Sequence, residues 1–490
     1  MGRLAAIALA SCAGCAQIFG IDNTTGGAAP ADAPPAEVSL SFQRASIGST
    51  IVMAPQDLST SMASYLVSDG ENGLDLVPAA LTPPNTWTAP IATGTPPVEF
   101  TLPDYPTPIT RVWAVPARTL TGVFGQLEHP NPTPMDPSST LTFQVGLPSP
   151  YAGESLQEYS VGAWTQHTFS GAELPATNGT AIATTISAST INSLTGRPLD
   201  KITSQDSVLV VRYSGNTLTG ALIAPPFDQT GADTISGTML AVAQDQTLTA
   251  TIQPAAVGPR YAATRPAVAN LGMAWYVIAT PGSSLANASG PQLAALGVAA
   301  TDSGAIDATY GNPFGSLGWR AVFEWSTNEY RSYTPPGQPP VTAYAGMYEV
   351  DDPTPGLTAS LPAALPLTIS IDQTALTSDG MTVTIDPTKP VDVSFVAEHA
   401  GATLCQLQLF ALVPNAGATA LVYQQVFGLS GVMPEFTVPA ALFQPGKLYV
   451  LRAVDIQDSY PGIASGDLAT RSLPLEVAYL DSGVFTVVNP

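Results

Sequence analysis

Two Asp-Ser-Gly triplets, Asp302-Ser303-Gly304 and Asp481-Ser482-Gly483, come nearest to chemistry by residue type and spacing. A pair of such turns can hold two carboxylates that share one proton, the arrangement of an acid protease. That arrangement follows each glycine with Thr or Ser, and here Ala305 and Val484 stand in those places. Asp-Ser-Gly is otherwise an ordinary turn, and a turn is the expectation. Gly428-Leu-Ser430-Gly-Val-Met433 begins like a nucleophile elbow but lacks the closing glycine of that strand-to-helix turn. His129, His167 and His399 lie far apart, with no second histidine at ligand spacing, so zinc on His or Cys is not expected. Neighbouring strand residues face opposite sides, so neither Glu128-His129 nor Glu398-His399 shares a face. No catalytic residue and no enzyme activity are expected.

Calcium is the one cofactor that the residues permit. Asp69, Glu71 and Asp75 supply oxygen ligands on a Gly-rich turn, and Asp455, Asp458 and Asp467 form a second acidic group. Neither follows the EF-hand loop; in the first, Ala80 stands where the bidentate glutamate would close it.

The densest feature is aromatic. Nine rings fall between Tyr310 and Tyr348. With alternation of faces along a strand, Trp319, Ala321, Phe323 and Trp325 share one side, and Arg320, Val322 and Glu324 the other. The commoner use of such a stripe is the core of a sandwich, where rings contribute most of the buried area. The other use is a sugar-binding surface built from Trp319, Phe323, Trp325, Tyr330 and Tyr333. Asn312, Asn328, Glu329 and Arg331 would there bond the hydroxyls.

Whatever these residues do, strands must position them. Only 11% of the 490 residues are charged, while Gly and Pro number 42 and 47. Surface helices are normally faced with Lys, Glu and Arg, whereas runs rich in Thr and Val broken by Gly and Pro suit strands and turns. Val38–Phe42, Val98–Leu102, Ser139–Val145 and Ser207–Tyr213 are examples, each alternating or continuously apolar. Gly290–Val298 is the best helix candidate. The fold class expected is all-β, with several β-sandwiches in tandem. A net charge of −22 repels phosphate, so nucleic acid is not an expected partner.

The N-terminus reads as an address. Arg3 precedes the short apolar stretch Leu4–Ala10, too short to span a bilayer and suited to a signal peptide. Leu9-Ala10-Ser11-Cys12 resembles the lipobox of bacterial lipoproteins, which implies cleavage before Cys12 and its acylation; Ala13-Gly14-Cys15 makes Cys15 the alternative. The resemblance implies export and a lipid-held membrane contact. With Ala13 or Ala16 following the cysteine, it implies the outer membrane or cell surface of a Gram-negative bacterium. Residues 16–36 are a Gly/Ala/Pro tether.

Proline clusters divide the remainder into 37–148, 149–257, an aromatic-rich 258–356, and 357–490. No short fixed repeat is visible, which argues against a solenoid or propeller. The last segment is similar to fibronectin type III domains. Val391-Asp-Val-Ser-Phe395 matches the strand that usually carries a core tryptophan, and Phe443-Gln-Pro-Gly-Lys-Leu-Tyr449 matches the tyrosine corner. The resemblance implies an immunoglobulin-like sandwich in which Tyr449 bonds back to the chain. Cys405 is expected as a small buried residue. The function expected is structural or adhesive at a cell surface, with polysaccharide or surface proteins as partners. Carbohydrate or cell-wall binding around 310–348 is the alternative, and an extracellular hydrolase with an unrecognised site the second.

Overall fold

The computed structural model describes residues 36–490 apart from short stretches at 48–50, 56–61, 69–73, 83–85, 92–97, 103–108, 115–118, 129–132, 161, 164, 194–198, 268–269, 282–289, 300–303, 360–364, 397–403, 432–433, 458–459, 463–466, 469 and 471. The lipobox with Cys12 and Cys15, and most of the tether, lie outside the described residues. The fold is all-β, built of sandwiches, as the composition leads one to expect.

One strand shows why. Thr140–Gly146 buries Leu141, Phe143 and Val145 while Thr142 and Gln144 turn away. Branched and aromatic side chains on one face of an extended chain have only another sheet to cover them. Each large side chain so buried contributes roughly 1.5–3 kcal/mol.

One pairing scheme occurs in three units, and the fourth unit shares most of it. The first unit has β1 (Ala36–Ile47), β2 (Met62–Ser68), β3 (Leu74–Pro78), β4 (Thr86–Ile91), β5 (Val98–Leu102), β6 (Ile109–Ala114) and β7 (Thr119–Glu128). One sheet runs β4-β1-β7, with β7 parallel to β1, and the other runs β3-β2-β5-β6. The second unit has β8 (Thr140–Gly146), β9 (Ser155–Ser160), β10 (Thr165–Thr168), β11 (Ala181–Ser187), β12 (Val208–Ser214), β13 (Thr217–Ile223) and β14 (Ala232–Thr238). It repeats the scheme as β11-β8-β14 over β10-β9-β12-β13, again with the last strand parallel to the first.

The third unit has β15 (Gln246–Thr251), β16 (Asn270–Thr280), β17 (Gln292–Gly297), β18 (Ala305–Tyr310), β19 (Arg320–Tyr333), β20 (Val341–Asp351) and β21 (Leu357–Thr358). Its sheets are β18-β15-β21 and β17-β16-β19-β20. Helix α1 (Pro254–Ala263) follows β15 and closes the core, with the Tyr261 hydroxyl hydrogen-bonded to Thr327.

The fourth unit opens with β22 (Ile369–Ile371) and β23 (Met381–Thr384). It continues through β24 (Val391–Phe395), β25 (Leu404–Pro414), β26 (Leu421–Gly431), β27 (Glu435–Val438), β28 (Leu448–Gln457), β29 (Leu475–Asp481) and β30 (Phe485–Val488). It pairs as β27-β24-β22 and β26-β25-β28-β29, while β23 lies parallel to β30.

The four-stranded sheets join edge to edge. β13 meets β17 at Thr217 and Ala294, β20 runs antiparallel to β29 over six residue pairs, and β6 lies parallel to β26. Pairing places β8 with strands that follow it, so the second unit starts before the break expected at 148. The expected helix at Gly290–Val298 is instead strand β17. Its Leu293 and Ala294 are buried, and β16 supplies the backbone partners that a short Ala/Leu run could otherwise find only in itself.

Two features of the fourth unit match the sequence closely. Gly446 takes a left-handed turn (φ +80°), and the Tyr449 hydroxyl then accepts from the Gln444 amide at 2.7 Å and donates to the Leu442 carbonyl at 3.3 Å. Phe395 is buried and stacks on Phe436. Cys405 is fully buried in the same core.

Candidate functional site

Strand β19 decides the fate of the aromatic stripe. Trp325 lies opposite Trp275 of β16, and Phe323 opposite Val277. Both are fully buried, and Trp319 nearly so, among Leu248, Ile306, Tyr310 and Phe314. A sugar cannot stack on a ring whose faces are covered, so Trp319, Phe323 and Trp325 are corrected from platform to core. Tyr333 shares their side of the strand and packs, half-buried, with Val341 and Leu412. Two of the polar partners expected beside the rings are also spent: Arg331 pairs with Asp379 at 3.1 Å, and Asn312 bonds the Trp319 carbonyl. Of the five rings, Tyr330 alone is open, 47% exposed, and it lies on the other face.

That other face carries a polar and aromatic row where the third and fourth units meet. Tyr330 of β19 stands directly opposite Tyr344 of β20, which is 41% exposed. The next strand, β29, contributes Asp481, whose carboxylate accepts from the Tyr344 amide at 2.8 Å. β28 then contributes Arg452 in register with Asp481, and β25 contributes Gln408 in register with Arg452.

The Arg452 guanidinium is held from all sides. Its Nε and Nη2 donate to Asp481 at 2.6 and 3.0 Å, and the rings of Phe410, Tyr423 and Tyr479 lie 5.3–5.6 Å from its centre. Such guanidinium–ring contacts are each worth roughly 0.5–2 kcal/mol. The Tyr423 hydroxyl donates to Asp481 at 2.9 Å. Burial works against the charge of Arg452, but the Asp481 carboxylate outweighs it and raises the guanidinium above its ordinary value. Burial, reinforced by Asp481, likewise holds the Tyr423 phenol neutral. The Asp481 side chain is fully buried, whereas Arg452 keeps 24% of its side chain exposed. Beside this pair the Tyr479 ring lies across Gly346, where a Cβ would collide with it. The assembly is a fixed, charge-balanced surface of hydroxyls, amides and ring faces.

The remaining sequence candidates resolve as follows. Asp481-Ser482-Gly483 is structural: Ser482 donates to the Gly483 carbonyl and accepts from the Leu451 amide. Asp302 and Ser303 lie outside the described residues, as do His129 and His399. His167 is buried between Glu173 and the Thr190 carbonyl. Gly428–Ser430 runs within β26 as strand, not as an elbow. Asp69, Glu71 and Asp458 lie outside the described residues, Asp75 is paired with Val67 in β3, and Asp467 accepts from Thr470. Among the described residues no three His, Cys, Asp or Glu side chains come together as a metal cluster.

Three carboxyls are pushed up into the neutral range. Burial pushes Glu158, which accepts from Thr165 at 2.8 Å, up to about 7, and pushes Glu324 up to about 7. Glu349, directly opposite Glu476 across β20 and β29, is pushed up to about 8 by burial and by the neighbouring Glu476 and Asp351. A groove of about 420 Å³ lies along β13 and the 238–245 connection, and Asp245 is the one ionisable group among its lining residues.

The row at Tyr344 and Arg452 was missed because its members are distant in sequence. Its signal was a charge in the middle of an apolar strand, once in Leu448–Val454 and again at Leu480-Asp481. No family model matches the chain, and no curated protein matches it.

Proposed function

We propose that this chain is an exported lipoprotein, acylated at Cys12 or, failing that, at Cys15, whose sandwiches stand outside a membrane in a structural or adhesive role. The observation that supports it is the recurring strand scheme: four sandwiches join edge to edge and present the outer faces of their sheets. We read the units as immunoglobulin-like, because each of the first three places its fourth strand against its first and its third, second, fifth and sixth in one sheet, and the fourth unit repeats that order counted from β24. The tyrosine corner at Tyr449 agrees with that reading in the fourth unit. Such folds host many activities, so the role rests on the surface they present and not on the fold alone.

The leader supports the anchor. Leu9-Ala10-Ser11-Cys12 followed by a Gly/Ala/Pro tether has the order that a lipid-held domain needs. Among the described residues no helix is long and apolar enough to cross a membrane. Feeding an alkyne-tagged palmitate to an expressing Gram-negative cell is the test. Label on the chain that disappears in Cys12→Ala supports the reading. Label that survives it and disappears in Cys15→Ala moves the site, and an unlabelled, soluble chain ends the lipoprotein proposal.

A further inference from the structure

We propose that the outer-face row Tyr330–Tyr344–Arg452–Gln408, crossing from the third unit to the fourth, binds an uncharged, hydroxyl-rich polysaccharide. The inference concerns this face alone and stands whether or not the chain carries a lipid.

Three observations carry it. The first is geometry. The row crosses five adjacent strands, β19, β20, β29, β28 and β25, in register, which at about 4.8 Å per strand gives a track of about 19 Å. An extended glycan is the ligand that fits a straight track rather than a cleft. The second is exposure. Tyr330 and Tyr344 are nearly half open while the other rings of this region are buried or half-buried, and they stand side by side across neighbouring strands. Ring faces cover the apolar faces of sugars, while phenol hydroxyls, the Asn328 amide and Gln408 meet their hydroxyls.

The third observation is charge. The cation of the row, Arg452, is neutralised by the buried Asp481, so the track presents no net positive charge for an anionic polymer. The whole chain carries −22 and repels such polymers further. Asp481 also fixes Tyr423 and the Tyr344 backbone, so the surface is set before a ligand arrives.

The test is sedimentation of the full chain, with Cys12 and Cys15 changed to Ala, on cellulose, chitin and starch granules, with alginate gel as the anionic counterpart. The expected result is retention on at least one neutral glycan, a tenfold or greater loss in Tyr330→Ala/Tyr344→Ala, and no retention on alginate. Thermal unfolding of the double variant must match the parent. If it does not, the parent chain answers instead: nitration of Tyr330 and Tyr344, mapped by mass spectrometry, should fall when a soluble oligosaccharide of the retained glycan is present. Absence of retention on all three glycans overturns the proposal. So does retention that neither depends on the two tyrosines nor protects them, or preferential retention on alginate.

Discussion

The two faces of β19 differ in everything except backbone. One face places Phe323, Trp325 and Thr327 against β15, β18 and α1, where they are sealed. The other carries Ser326, Asn328 and Tyr330, increasingly open toward the strand's end. Both faces have polar and aromatic members, and both alternate with the same period. Periodicity therefore says which residues share a side, but the covering sheet decides which side is dry. The lesson is that an aromatic stripe is informative about grouping and silent about exposure.

The comparison breaks first if Trp325 is not core. Trp325→Ala should destabilise the chain by about 3–5 kcal/mol, the usual cost of emptying a ring-sized space in a packed interior. A shift in the urea midpoint under a tenth of that would put the ring on the surface and reverse the assignment of faces. Arg452→Ala comes next. It leaves the fully buried Asp481 with only Tyr423 and an amide, and should cost about 3 kcal/mol, near the low end for breaking a buried pair because Arg452 is partly open. Asp481→Asn/Arg452→Met, which removes both charges together, should recover part of that loss in the same unfolding measurement. If the double change costs more than Arg452→Ala alone, the pair is not the source of the effect.

How much of this could be read in the sequence differs by level. Val391–Phe395 and Ser207–Tyr213 announce themselves as strands because branched residues alternate or run together there, and local chemistry suffices. Tyr449 was legible for the same reason, since the corner is closed by a turn three residues away. The recurring scheme was not legible. It consists of pairings between strands separated by loops of differing length, and equal topology needs no equal residues. The Arg452–Asp481 pair depends on the register between β28 and β29, which alternation leaves free. Gly290–Val298 misled because Ala and Leu favour a helix in isolation, while β16 offered a partner that propensity does not know about.

The next effect is a pH dependence. Glu349 is pushed from its ordinary 4.5 up to about 8, and Glu324, on the outer side of β19, up to about 7. The fold thus favours their neutral forms. Their contribution to stability is complete below about pH 4.5, declines above it, and is lost as pH rises through 7–8. The urea midpoint should therefore fall between pH 6 and pH 9. Glu349→Gln, which cannot ionise, should flatten that fall and gain about 1–3 kcal/mol at pH 9. A parent chain equally stable at both pH values would show that Glu349 and Glu324 are not held in buried surroundings.

The smallest effect sharpens the comparison most. Tyr330 sits on the same strand as Trp325, five residues along and on the opposite face. If the open face contributes nothing to packing, Tyr330→Ala should change stability by less than about 0.5 kcal/mol, as exposed substitutions usually do. The pair Trp325→Ala and Tyr330→Ala then measures one strand twice, once from inside and once from outside. A loss of about 2 kcal/mol at Tyr330 would mean that this ring is covered in solution by another surface. The row toward Arg452 would then be an internal contact rather than a free track, and retention on glycan would have to fail with it.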